Sequence, residues 1–149
     1  MQEQIDLKWT QRRKQMQTLK SKLETLDQIE IWNEILLKSF EDLHQELQIG
    51  SVKVIDVLHA YQWKALKSTE KLNNIVWFIE EAEIFAQTLD DLPTDKRGPL
   101  HGIPISVKEC NFVKNCDSTA GMVHVILDRG HIFKRHRMIS LGLKKICLI

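Results

Sequence analysis

The sequence is poor in the features that mark secreted, membrane-spanning and nucleic-acid-binding proteins. It has three cysteines in 149 residues, and an odd number without regular spacing argues against a disulfide-stapled secreted domain. No apolar run approaches the ~20 residues of a transmembrane helix, and the N-terminus lacks the apolar centre of a secretory signal. The formal net charge of +1 argues against whole-chain attraction to nucleic acid. We therefore expect an intracellular protein, cytoplasmic or peripherally membrane-associated, with no nucleic-acid partner.

The small net charge hides an uneven distribution along the chain. Residues 123–149 contain six Lys or Arg and one Asp, whereas residues 1–122 contain fifteen basic and nineteen acidic side chains. A charge step of this kind marks a change of role or of origin. We predict three parts: a helical arm over 1–38, a central part over 39–122 and a divergent basic tail over 123–149.

The first part has the periodicity of one long helix over residues 8–37. Its apolar side chains recur at spacings of three, four and seven, namely Trp9, Met16, Leu19, Leu23 and Leu26. Glu30 and Asn33 then interrupt the pattern where a coiled coil needs apolar residues. The pattern predicts a helical arm that packs against another part of the molecule.

Two more helices are predicted in the central part. The stretch Ser39 to Asp42 has the form of a capping box, and the helix that it opens is expected to end near Ile49, at Gly50. Ser51 is expected to cap the next helix, in which the predicted buried stripe is Val54, Leu58, Tyr61 and Ala65.

A strand is predicted near the end of the central part. Residues from Asn74 are expected to begin extended and to become helical from Glu80 to Leu89, before a loop over 90–99. The apolar run IPISVKE over 103–109 follows as a strand, with Ile103, Ile105 and Val107 on one face.

Lys108 lies on the opposite face of that strand, and its role has two interpretations. If the sheet is covered on both sides, burial favours the neutral amine, which can accept a proton from a serine nucleophile. If it is not covered, Lys108 is a solvated strand lysine that pairs with Glu109 or Asp117.

The segment GPLHGIPISVKECNFVKNCDSTAGM, residues 98–122, resembles the start of the core of the amidase signature family, in particular its fatty-acid amide hydrolase branch. The matching residues are Gly98, Pro99, Leu100, Gly102, Pro104, Ser106, Lys108, Glu109, Asp117, Ser118, Thr119 and Gly121. The resemblance extends back to about residue 39. It implies an α/β amidase signature fold, a mixed central sheet with covering helices, of which this chain holds only the helix-rich N-terminal part.

The resemblance also implies a reaction, the hydrolysis of lipid (fatty-acid) amides by a Ser–Ser–Lys triad in which Lys108 is the catalytic base. No metal and no other cofactor takes part. The chain has no Gly/Ser-rich run that could hold both serines and the oxyanion hole. We therefore expect a truncated family member that is inactive as given, whose full-length counterpart binds a lipid amide. Peripheral membrane contact and a homodimer are left open as further partnerships. The alternative is a non-catalytic helical module for protein interaction.

Several other residues have competing interpretations. A zinc site could be assembled from Cys110, Cys116, His124, His131 and His136, but the spacing does not match the usual pattern, and Cys110 is better explained as a small apolar residue after the strand. The basic run 134–137 is expected to be a solvated end, the alternative being a site for nucleic acid or acidic lipid. His101 is expected to be exposed in a loop, the alternative being the wall of a substrate channel. The four tryptophans, Trp9, Trp32, Trp63 and Trp77, are predicted to be packing anchors.

Overall fold

Helices make up most of the chain that the structure describes. The computed structural model describes residues 2–111, residue 116 and the backbone of residues 147–148. The helices are α1 (Gln2–Leu26), α2 (Ile29–Leu37), α3 (Phe40–Ile49), α4 (Val54–Leu72), α5 (Ala82–Asp90) and a short 3-10 helix (Thr94–Lys96). The strands are β1 (Pro104–Ile105) and β2 (Cys147–Leu148).

The predicted arm is helical but is two helices rather than one. The chain turns at Asp27, whose φ of 49° lies in the left-handed region that Asp tolerates better than most residues. The turn has a packing reason, because Leu23 before it and Trp32 after it are both fully buried. Their spacing of nine residues does not return to the same face of one straight helix, so the break allows both side chains to reach the core.

Helix α4 is the centre of the packing, with α1, α2 and α5 all against it. Trp32 of α2 lies 6.1 Å, between ring centroids, from both His59 and Trp63 of α4. The predicted stripe is confirmed at Val54 and Leu58, which are buried, whereas Tyr61 and Ala65 are half-buried.

Two of the predicted tryptophan anchors, Trp32 and Trp63, are buried, and Trp77 is half-buried. Trp9 is not an anchor, because its side chain is 49% exposed. It lies near the N-terminal end of α1, where it carries the Arg12 guanidinium 5.4 Å from its ring centroid.

The helix ends agree with the sequence at α3 and differ at α4. Ser39 Oγ accepts a hydrogen bond from the Asp42 amide at 3.1 Å, and Gly50 ends α3 with a φ of 80°, as predicted. Ser51 does not cap α4, which begins at Val54 after Lys53. The cap comes from α5, because Asp90 accepts hydrogen bonds from the Val54 amide at 2.6 Å and the Ile55 amide at 3.1 Å.

The segment between α4 and α5 forms neither helix nor strand, and side chains of α1 hold it in place. Arg12 donates to the Ile75 carbonyl at 2.6 Å. Gln15 makes a reciprocal pair with Phe78, donating to its carbonyl at 2.9 Å and accepting from its amide at 3.0 Å. These bonds satisfy backbone groups that have no sheet partner.

The predicted strand over 103–109 is much shorter in the structure. Only Pro104 and Ile105 are paired, in parallel register with Cys147 and Leu148. The predicted faces are nevertheless correct: Ile103 is buried and Ile105 and Val107 pack half-buried against the core. The described residues are thus helix-rich, as predicted, while a mixed central sheet does not appear among them.

The helices of the described region include none that is both long and apolar enough to span a bilayer. Of the predicted tail, only the backbone of residues 147–148 belongs to that region, so the basic run 134–137 lies outside it.

Candidate active site

Lys108 lies at the exposed end of the segment that follows β1. Its side chain is exposed, and no residue of the described region hydrogen-bonds to its ammonium group. Its carbonyl accepts two hydrogen bonds from Asn111, from the backbone amide at 2.9 Å and from Nδ2 at 3.1 Å, which closes a turn directly after the lysine. The cover on both faces that would bury Lys108 is therefore not supplied by the described residues.

The loop before β1 is fixed to the C-terminal half of α3 by polar side chains. Gln48 donates to the Gly98 carbonyl at 2.8 Å, and His44 Nε2 donates to the Pro99 carbonyl at 2.6 Å. From the loop, Arg97 donates to the Leu47 and Gln48 carbonyls of α3, at 3.0 Å and 2.8 Å. These carbonyls belong to the last turn of α3, where no helical partner remains for them. Side chains of α3 thus donate hydrogen bonds to carbonyls of the loop, and Arg97 of the loop donates to carbonyls at the end of α3.

Gly102 brings this loop into the core. Its φ is 72°, and a Cβ there would lie 2.7 Å from Val54 Cγ2 and 2.9 Å from Leu47 Cδ2. Glycine alone combines that backbone conformation with so close an approach. The position of the lysine segment relative to α3 and α4 is therefore set two residues before β1.

His101 is buried, with 1% of its surface exposed, so the prediction of an exposed loop histidine is wrong. Its amide donates to the Gly98 carbonyl at 3.0 Å, and this turn directs the ring inward. The imidazole lines an open cavity of about 610 Å³ between the end of α3, the start of α4 and the end of α5, together with Asp90 and Arg97. Lining a cavity is compatible with the alternative interpretation, a substrate channel.

The candidate zinc ligands are not brought together in the described region. Cys110, which follows the predicted strand, is exposed, and Cys116 is half-buried. His124, His131 and His136 lie outside the described residues. Among those that are described, no group of three His, Cys, Asp or Glu side chains could hold a metal ion.

The residues that support the lysine segment were not identified from the sequence. His44, Gln48 and Arg97 bind backbone carbonyls about fifty residues away, and no local pattern encodes such a pairing. The one available signal was the position of Gln48 in the last turn of a predicted helix followed by glycine.

Comparison with known proteins identifies the segment that carries this site. Residues 56–127 match the family model described as Amidase. The chain is 44% identical over 87 residues to fatty acid amide hydrolase 1 of Caenorhabditis elegans. The aligned stretch covers 56% of this chain and 15% of that protein. It is 33% identical over 89 residues to the vitamin D3 hydroxylase-associated protein of Gallus gallus, 60% of this chain and 19% of that protein. A putative amidase of Schizosaccharomyces pombe is 31% identical over 86 residues, with 56% and 15% covered.

The chain thus spans less than a fifth of the length of these relatives. No solved structure matches it significantly. The family match extends a few residues past Met122, and it includes Lys108 and the whole loop that α3 holds. The resemblance read from the motif is confirmed by the match of residues 56–127 to the Amidase model.

Proposed function

We propose that this chain is the lysine-bearing N-terminal part of a serine amidase that hydrolyses fatty-acid amides, and that it has no amidase activity by itself. One observation carries the proposal. The motif GPLHGIPISVKE, residues 98–109, lies inside the segment that matches the Amidase model, and a relative named as a fatty acid amide hydrolase is 44% identical over 87 residues of the chain.

In this proposal Lys108 moves the proton. It takes the proton of the nucleophilic serine through a second serine as the nucleophile attacks the amide carbonyl, and it returns the proton to the leaving amine. A lysine accepts a proton readily only when its ammonium form is disfavoured, which requires burial or a nearby cation. Because Lys108 is exposed among the described residues, the proposal assigns that burial to the serine-bearing part of an amidase.

The described helices have a supporting role in the proposal. Helix α3 holds the loop 97–103 through Gln48 and His44, and Gly102 seats the loop against Val54. The loop continues directly into β1 and the segment after it, which contains Lys108. A base displaced by about 1 Å loses a large part of its effect, so this rigid support matters for catalysis.

The absence of a Gly/Ser-rich run explains why we propose no activity for these 149 residues. Loss of one oxyanion-hole donor alone lowers kcat by about two to three orders of magnitude, and here the nucleophile is missing as well.

The test is an amidase assay in two arms, with a long-chain fatty-acid primary amide as substrate. In the first arm the 149-residue chain is compared with Lys108→Ala, and neither should release ammonia above the buffer rate. Lysine-dependent turnover by the chain would disprove its inactivity.

The second arm uses a longer product of the same coding region that includes a Gly/Ser-rich run. Lys108→Ala should reduce its turnover by roughly 10²–10⁴-fold. Lys71→Ala, which removes an exposed lysine from the end of α4, is the matched control and should keep full activity. Turnover that is the same with and without Lys108 would contradict the assigned role.

A second candidate function is a helical interaction module, and the core supports it. Helices α1, α2 and α5 bury their apolar faces on α4, with only two residues of β1 involved in sheet pairing. Cooperative thermal unfolding of a monodisperse 149-residue product would favour this function. Soluble aggregates without a transition would favour the fragment of an enzyme.

A further inference from the structure

The cavity of about 610 Å³ between the end of α3, the start of α4 and the end of α5 has both apolar and charged walls. Leu47, Val52 and Ile55 form its apolar wall. Cavities of roughly 300–1,000 Å³ that combine an apolar wall with a few polar groups are typical of sites for small molecules. Lys108 does not line this cavity, so it is separate from the proton transfer proposed for that lysine.

Arg97 is fixed in the wall of this cavity and keeps two of its five N–H groups unused. Its Nε donates to the Leu92 carbonyl at 3.3 Å, and its Nη1 donates to the Leu47 and Gln48 carbonyls. Its Nη2 has no acceptor among the residues that the structure describes. A Cβ at Gly50 would lie 3.0 Å from Nη2, so the glycine leaves space beside these donors. The guanidinium is therefore a preorganised donor for an anion.

Two further charges of the cavity are unpaired. Lys53 before α4 and Asp91 after α5 are exposed, and the side chain of neither makes a hydrogen bond or ion pair within the described part of the chain. Asp90 differs from them, because its carboxylate oxygens accept the first amides of α4. Charges of both signs thus line one cavity without neutralising each other.

We propose that this cavity binds a small zwitterion, an α-amino acid with an aliphatic side chain. Arg97 Nη2 and the Lys53 ammonium hold the carboxylate of the ligand, and Asp91 accepts hydrogen bonds from its ammonium group. The aliphatic side chain packs on the apolar wall. With Asp90 included, the lining carries two positive and two negative charges, so a ligand without net charge leaves the cavity neutral. Bonds between ionised groups are the strong ones, and a concave site strengthens them further.

The test is an NMR titration of the ¹⁵N-labelled 149-residue chain with L-leucine and with two analogues that each lack one charged group. The analogue 4-methylpentanoate has the leucine skeleton without the ammonium group, and 3-methylbutylamine has it without the carboxylate. L-Leucine should bind about tenfold more tightly than either, because it alone contacts charges of both signs. The absence of any response to L-leucine at about 10 mM, or equal binding of the three compounds, would overturn the proposal.

Substitution of the two exposed charges then locates the site. Lys53→Gln and Asp91→Asn each remove one charge and no side-chain contact with a described residue, so both variants should keep the fold. Each should bind L-leucine about tenfold more weakly than the wild type, because one ionic contact of the ligand is lost. Arg97 is left unchanged in these variants because it also holds the end of α3. Wild-type affinity in either variant would contradict the assignment of that residue and overturn the proposal.

The matched control is Lys64→Gln with Glu80→Gln, which removes one positive and one negative charge at exposed positions outside the cavity. It should bind L-leucine with wild-type affinity. The NMR spectrum of each variant establishes that the fold is retained, so a weaker affinity reports on the ligand contact. A loss of affinity in the control as large as in Lys53→Gln would show a general charge effect and would overturn the proposal.

Discussion

At the scale of single residues, Gly102 makes the most constrained contact near the candidate site. We predict that Gly102→Ala lowers the free energy of unfolding by about 1–3 kcal/mol, because it combines strain at positive φ with overpacking against Val54 and Leu47. Chemical denaturation measures the loss.

Gly50→Ala is the matched control, since it has a similar φ of 80° but its Cβ would meet the flexible end of Arg97. Its cost should be nearer ~1 kcal/mol. Equal losses in the two variants would show that the contact of Gly102 with the core is unimportant.

Glu83 of α5 contacts Lys22 of α1 and His59 of α4, and it should make the stability of the fold depend on pH. Burial raises the pKa of its carboxyl, but hydrogen bonds from Lys22 and His59 outweigh this, so the pKa lies below the ordinary 4.5. A depressed pKa stabilises the fold above about pH 4.5, and that contribution is lost as the pH falls through the folded-state value. Glu83→Gln should therefore be less stable than wild type at pH 7 and should lose less stability on acidification.

Thermal unfolding of Glu83→Gln and of the wild type between pH 7 and pH 3 measures this difference in stability. Glu80→Gln, at an exposed position next to α5, is the control and should follow the wild-type pH profile. Parallel profiles for Glu83→Gln and wild type would contradict the account.

At the scale of elements, the start of α4 is capped by a side chain from another helix. Asp90→Ala should cost about 1–2 kcal/mol of stability, because it leaves the Val54 and Ile55 amides without an acceptor. Ser39→Ala should cost about 1 kcal/mol for the same reason at α3. Ser51→Ala should change stability by less than about 0.5 kcal/mol, since it caps no helix. A large effect at Ser51 with none at Asp90 would reverse this assignment.

These caps also show what the sequence can predict. The cap at Ser39 and the end of α3 at Gly50 are local features. Each can be predicted from residues that belong to this helix or lie next to it. The cap of α4 comes from Asp90, thirty-six residues from Val54, and no local pattern distinguishes it from any other helix-terminal acid. The break at Asp27 was missed for a related reason. Its purpose is to direct Leu23 and Trp32 toward a core that only the tertiary structure defines.

At the scale of the whole molecule, the motif around Lys108 indicated a family resemblance, which neither the composition nor the periodicity could indicate. Alternation alone predicted the faces of residues 103–108, and the structure agrees. The length of the strand could not be predicted, because a strand extends only as far as its partner, and among the described residues that partner is Cys147 and Leu148. Whether Lys108 becomes buried likewise depends on segments that are not near it in sequence.

The proposal gives the helices and the lysine separate roles that fit one molecule. Helices α1, α2 and α5 pack around α4, α3 supports the loop 97–103, and that loop leads to an exposed lysine. In the proposed function, this arrangement supplies the base of the reaction but not its nucleophile. The remaining parts of the reaction would come from sequence beyond the matched segment.

The most direct test of the central claim is the rate at which the protein made from the native coding region hydrolyses a long-chain fatty-acid amide, with Lys108 or with Lys108→Ala in its place. Our account predicts that turnover, where the product includes the serine-bearing segment, falls by roughly two to four orders of magnitude in the variant. Equal turnover with and without Lys108 would contradict it.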